Sequence, residues 1–277
     1  MRKLKFLIIV LCQLLFAGSS LAAPIEVELE LVLLVDVSSS VDSMESRLQR
    51  KGYVDAMTDA SVLAAIKKTR LGRIAVTYIE WSSGGKHSVV APWFVIEDFA
   101  SAFAFATMIE AAPRSFGHFT SIGGALKFAI PLFEHNNIRG ERRAIDISAD
   151  GPNNDGPSPH IIRDIAVASG ITINGLPIVN DRLQSSGMKQ MPNYDHYFAD
   201  CVIGGASAFM VIADDYQDFA RAIKKKLIFE VAGRVPPEFK LWAQKSFLMK
   251  TAGHLKSNCD LGIDYQREGT SKRRTVY

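Results

Sequence analysis

The chain has 277 residues, 48% of them apolar, with 32 basic side chains against 29 acidic ones and a net charge of +3. Three of the basic residues, Arg2, Lys3 and Lys5, lie in the first five positions, so the remainder is neutral. A neutral chain of this size makes no electrostatic case for nucleic acid or an anionic membrane surface, and it is long enough for one large α/β domain with an appendage.

From the N-terminus, the three basic residues precede an apolar run, Phe6 to Ala17. A small-residue stretch, Gly18-Ser19-Ser20-Leu21-Ala22-Ala23, then leads into Pro24. This is the layout of a secretory signal peptide over residues 1–22, cut after Ala22. The apolar run falls short of the roughly 20 residues that span a bilayer, which favours cleavage over anchoring. Cys12 follows Leu11 rather than a small residue, so lipid attachment is not expected. No later segment is apolar for long enough to cross a membrane. The mature chain is therefore expected to be soluble and periplasmic or secreted. Cys201 and Cys259 then remain, and an oxidising compartment permits a disulfide between them; two free thiols are the alternative.

Leu29 to Val37 is a continuous apolar run ending at an acidic residue, the pattern of a central strand buried on both faces. Asp42 and Glu45 have capping-box spacing and open a predicted helix to about Lys68, its apolar pattern imperfect around Gly52. Arg73 to Trp81 reads as the next strand and Asp98 to Glu110 as a helix. Ile122, Leu126, Ala129 and Phe133 share one helical face, with Pro131 expected to kink or end that helix. Arg143 to Ser148 is a short strand. Ser158 and Pro159 open a helix that Gly170 closes. Ile171 to Val179 and Phe209 to Ala213 read as strands. Asp214 and Gln217 open a helix with Tyr216, Phe219, Ile223 and Leu227 on one stripe. Strands alternating with helices predict an α/β fold, a doubly wound, mostly parallel sheet flanked by helices, over residues 23–233. Pro236-Pro237 breaks the pattern, and residues 234–277 form a C-terminal appendage, partly helical or loose, with a basic end.

Ligands of such sheets bind beyond the carboxyl ends of the strands. Three segments place oxygen-bearing side chains there. Asp36-Val37-Ser38-Ser39-Ser40 ends the first strand, with one carboxylate and two hydroxyls at alternating positions. Thr120 precedes Ser121-Ile122-Gly123-Gly124 at a helix start, and Asp150-Gly151 follows the strand ending near Ser148. Hard divalent cations take oxygen ligands, and this set leaves part of a shell open. Taken singly, each segment is also explained as a helix cap or a turn; the three together favour a metal.

These residues resemble the metal-ion-dependent adhesion site of the von Willebrand factor A domain. Phe119 to Leu126, Asp146 to Asn154, Val202-Ile203-Gly204-Gly205 and Ala213 to Tyr216 are similar to stretches of an uncharacterised family of exported bacterial proteins with that domain. The resemblance covers about residues 27–233. It implies a Rossmann-type fold and a divalent cation, magnesium first with manganese or calcium as the other candidates. It implies direct ligation by Ser38, Ser40 and Thr120, with Asp36 and Asp150 acting largely through water. The expected partner is another protein presenting an acidic residue that completes the shell. Ala149 departs from the pattern, which has glycine before the aspartate.

Other residues were weighed beside this set. His118 reads as a loop residue near the site, and Asn153, Asn154 and Asp155 as a turn that also surrounds the metal aspartate. Asp146, inside an apolar strand, needs a partner: it either supports the metal site from behind or pairs with Arg142 or Arg143. Trp81, Trp93 and the phenylalanines read as core rather than as a binding cage. No nucleophile elbow, zinc-protease helix, phosphate loop or dinucleotide fingerprint occurs, so no catalytic residue is assigned. A metal-dependent hydrolase using Asp36, Asp150 and His118 is the alternative function, and a purely structural ion is a third.

Overall fold

The longest apolar run of the chain becomes the middle of the sheet. β1 (Ile25–Asp36) pairs in parallel with β2 (Ile74–Trp81) on one side and β4 (Ile138–Ala149) on the other. A central strand covered on both faces has no solvent side, and Leu29 to Asp36 are all buried. β5 (Ile171–Pro177) extends the sheet parallel to β4, and β3 (His87–Ile96) closes the other edge antiparallel to β2, giving the order β3-β2-β1-β4-β5. This computed structural model describes residues 23–179, 189–233 and 258–260. The expected signal peptide, and the expected appendage apart from residues 258–260, lie outside the described residues.

β3 is absent from the sequence reading, and Pro92 is the reason it is hard to see. Proline cannot donate to a ladder, so it is tolerated at an edge or a bulge. β3 supplies both: its register slips opposite Thr77, where Pro92 and Trp93 face a single residue.

The helices follow their caps. α1 (Ser43–Met57) starts at the Asp42–Glu45 capping box, and α2 (Ala60–Lys67) starts anew at Asp59. The single helix expected to reach Lys68 therefore breaks at Thr58, not at Gly52. Gly52 lies within α1, where the close approach of Phe219 requires glycine: a Cβ there would lie 2.8 Å from that ring. α3 (Phe99–Ala111) is boxed by Asp98 and Ser101. α4 (Ile122–Ala129) tightens into a 3-10 turn at Ile130–Phe133 over Pro131, the early end that proline predicts. α5 (Pro159–Ala168) precedes β5. The short α6 (Tyr194–Tyr197) runs into a π turn, Phe198–Val202. α7 (Phe219–Ala232) begins later than the expected Asp214, because Asp214 and Asp218 donate their amides into a carboxylate-held turn first. The strand expected at Phe209–Ala213 runs beside β5 only as isolated bridges to Gly175 and Ile178.

Both faces of the sheet are covered. Leu29, Leu31, Leu33 and Val35 meet Tyr53, Phe105 and Phe219 on one side. Val32 and Leu34 meet Trp81, Leu126, Phe133 and Phe198 on the other. Cys201 and Cys259 are joined in a disulfide against this second face. Among the described residues no helix is long and apolar enough to cross a membrane.

Candidate metal centre

The three sequence segments meet at the carboxyl end of β1. Asp36 is its last residue, and the chain turns immediately because the Asp36 carboxylate accepts the Ser38 amide at 2.8 Å. That turn brings Ser38 and Ser40 to one side, their hydroxyls 3.1 Å apart. Thr120 arrives from the loop before α4 and donates to Ser38 Oγ at 3.2 Å. Asp150 follows β4, the strand beside β1, and its Oδ1 accepts from Ser40 Oγ at 2.6 Å. All five residues named from the sequence are thus brought into one cluster, four of them buried and Ser40 half-buried.

Backbone contacts from all sides hold these loops. Val37 donates to Trp81 O on β2, Gly117 donates to Val37 O, and Gln49 of α1 donates to Asp36 O. Thr120 is fixed by an amide that donates to Asn154 Oδ1 and a carbonyl that accepts from Asn154 N, both at 2.8 Å. Asn153 Oδ1 accepts the Gly123 amide at the start of α4, and the Asn153 amide donates to Tyr197 OH. Gly123 has no room for a side chain: a Cβ would lie 2.0 Å from Pro157 O. Asn153 and Asn154, which the sequence presents as turn formers, are the side chains that tie the Thr120 loop to the Asp150 loop. Tyr197 and Tyr194, whose hydroxyl donates to Gly151 O at 2.6 Å, were not visible as site residues at all. They come from a segment with no periodic signature.

The electrostatics are lopsided. Asp36 and Asp150 are buried together, and neither has a basic side-chain partner among the described residues. Burial, and after it the neighbouring Asp150 carboxylate, push the Asp36 carboxyl well above the usual carboxylate range. Burial also raises Asp150, against the opposing pull of the Ser40 and Tyr216 hydroxyls. The Tyr216 hydroxyl lies near Asp150 without hydrogen-bond alignment to any group, and Asp36 Oδ2 is buried with no hydrogen-bond partner. An unpartnered carboxylate oxygen amid three hydroxyls and a second carboxylate is a hard, anionic, all-oxygen donor set. Such a set fits a divalent cation. Among the described residues, no group of three or more histidine, cysteine, aspartate or glutamate side chains could hold a metal, so carboxylate clusters alone do not reveal the centre.

The residues weighed beside the centre divide. The His118 ring packs edge-on against Phe116, while its carbonyl accepts from Ser39 Oγ at 2.7 Å; it serves the loop through its backbone. Ala149 is accommodated: it ends β4 opposite Pro177, fully buried. Asp146 pairs with neither arginine. It lies 2.7 Å from Lys226 Nζ of α7, whereas Arg142 donates to the carbonyls of Glu230 and Val231 and Arg143 pairs with Glu30 and Glu134. Trp81 is core, but Phe99, Phe103, Phe116 and Phe119 are exposed, which corrects the expectation for the phenylalanines.

A family model described as a protein of unknown function, DUF1194, matches residues 26–235. No curated protein matches the chain in sequence. Among solved structures, it is similar to a von Willebrand factor type A protein from Catenulispora acidiphila, at 16% identity and a TM-score of 0.51, over 76% of this chain and 44% of that one. It is also similar to proximal thread matrix protein 1 from the mussel byssus, described with a zinc-occupied metal-ion-dependent adhesion motif. That match has 16% identity and a TM-score of 0.50, over 76% of this chain and 50% of the other. The chain spans about half the length of these two structures, and at such identity the likeness shows the fold: a mixed, mostly parallel sheet of the von Willebrand factor A type.

Proposed function

The chain belongs to the DUF1194 family, and from that premise and the geometry at the end of β1 we propose that it is an exported, metal-dependent protein-binding module. The observation that carries this reading is the pair of buried carboxylates, Asp36 and Asp150, ringed by Ser38, Ser40 and Thr120 and paired with no basic side chain among the described residues. Ser38, Ser40 and Thr120 would hold the cation directly, and Asp36 and Asp150 would balance its charge. Magnesium is the first candidate, with manganese and calcium next. When bound, such an ion supplies an electrophilic position that an oxygen from outside can fill. The chain's own residues leave that position open: only two of the five donors are carboxylates, each with one oxygen engaged by the Ser38 amide or the Ser40 hydroxyl, so the set falls short of a full shell. A carboxylate from a partner protein is the group that suits it. The mussel protein's zinc-occupied motif lends the same reading support. Export to the periplasm or beyond rests on the N-terminal leader read from the sequence.

The hydrolase alternative has less support. The His118 ring packs on Phe116, and no further carboxylate or histidine joins Asp36 and Asp150 as a general base among the described residues. The test is capture of partners from an envelope fraction by immobilised protein, with magnesium and with EDTA. The expected result is at least one partner retained only with magnesium and lost on Asp36→Ala or Ser38→Ala. Capture indifferent to both chelator and substitution defeats the proposal.

A further inference from the structure

Nine large apolar side chains are exposed on the described surface, and three of them lie next in sequence to the candidate centre: Phe116 and Phe119 in the loop before α4, and Met44 in the first turn of α1. Phe119 directly precedes Thr120. Phe116 precedes Gly117, whose amide donates to Val37 O at 3.2 Å, between Asp36 and Ser38. Met44 stands four positions beyond Ser40, where α1 starts. Phe116 and Met44 are each 55% exposed and Phe119 is 44% exposed, and the two phenylalanines share one short loop that ends at Thr120.

The loop carrying the two phenylalanines is firmly held. Arg50, itself paired with Glu80, donates to the carbonyls of Ala112 and Pro113. Glu80 accepts the Ser115 amide, Ser39 donates to His118 O, and Ser83 Oγ accepts the Phe119 amide. Gly117 presses so close to β2 that a Cβ would lie 1.8 Å from Ser82 Oγ. The aromatic side chains are thus presented by a backbone with little freedom left to lose, the condition under which exposed apolar groups bind at low entropic cost. Charge selects the occupant. Arg114 sits 5.9 Å from the Phe116 ring and has no acidic partner among the described residues, while the nearby Asp42 and Glu45 carboxylates are spent in the capping box.

Resting on the reading given under Proposed function, we propose that the captured carboxylate belongs to a polypeptide segment in which apolar side chains flank the acid. Those flanking side chains seat on Met44, Phe116 and Phe119. A lone carboxylate gains from the centre only; a segment with apolar flanks gains from both. The experiment is a selection from a random displayed peptide library on the full chain, in magnesium and in EDTA, followed by titration of the recovered peptides. The expected result is chelator-sensitive peptides enriched in an acidic residue with a large apolar residue within two positions. Phe116→Ser with Phe119→Ser should weaken them by about tenfold or more, the range of aromatic anchors. The same double variant should bind magnesium alone as the parent does. Chelator-sensitive acidic peptides without apolar enrichment, or equal binding by the double variant, overturn the apolar rim and leave carboxylate capture standing. Recovery of no chelator-sensitive peptide overturns both.

Discussion

Two pairs of buried acidic side chains are balanced in opposite ways. In the lower set, Asp146 and Glu230 share Lys226, whose ammonium lies 2.7 Å from each, all three fully or almost fully buried. Asn174 donates to Glu230 at 2.9 Å and the Lys226 ammonium sits 5.3 Å from the Phe209 ring, so this cation belongs to the core. In the upper set, Asp36 and Asp150 have hydroxyls and backbone amides but, among the described residues, no ammonium or guanidinium. The same chain that spends an internal lysine on one pair of carboxylates spends none on the other. On the function proposed above, the upper set takes its positive charge from solution.

The sharpest way to break this comparison is to remove the internal cation. Lys226→Met leaves Asp146 and Glu230 buried without compensation and should cost about 3–5 kcal/mol, read by chemical denaturation near neutral pH. A loss below about 1 kcal/mol would mean that the lower set is not a charged cluster, and the contrast with the upper set would fall.

A smaller effect comes from pH. Burial and the Glu230 charge, opposed by Lys226, raise Asp146 from 3.8 to about 7. A carboxyl whose folded value is raised contributes stability that is full below its unfolded value and lost as pH climbs through the folded one. The chelated protein should therefore be less stable at pH 8 than at pH 5, by on the order of 1–3 kcal/mol. The raised Asp36 and Asp150 add in the same direction. Excess magnesium should return part of that loss at pH 8 and little at pH 5, where protons compete for the upper carboxylates. Denaturant midpoints at both pH values, with and without the ion, check this.

Smallest, and opposite in sign to the first, is Asp36→Asn. It removes one of two like charges buried side by side, so the chelated variant should gain about 1 kcal/mol at pH 8. A loss of several kcal/mol instead would give the Asp36 charge a structural role like that of Glu230.

How far the sequence foretold this architecture depends on whether the signal was local. The β1 run, the Asp42–Glu45 box and the break at Pro131 are each written in a few adjacent residues, and the structure follows them. The clustering of Asp36, Ser38, Ser40, Thr120 and Asp150 was legible because Asp36 ends β1 and the others lie in the short loops after a strand or before a helix, within recognisable stretches. What stayed hidden is long-range. Lys226 stands in a run of three lysines that reads as a solvated helix face, and only the docking of α7 drives it against Asp146. Asp146 consequently drew Arg142 and Arg143 as expected partners. β3 left no mark in the sequence reading, since the edge position that tolerates Pro92 cannot be seen in one strand. Tyr197 supports Asn153 from a segment without periodicity, where the neighbouring Cys201–Cys259 bond and a 3.5 Å contact from Tyr197 OH to Cys259 O tie the chain down.

Calorimetric titration of the chelated full chain with magnesium, manganese and calcium is the most direct test of the upper set. One ion should bind per chain, with no measurable binding to Asp36→Ala and unchanged binding to a variant altered only at Phe99. No heat from any of the three ions, or binding that survives Asp36→Ala intact, would contradict a centre that borrows its charge from outside.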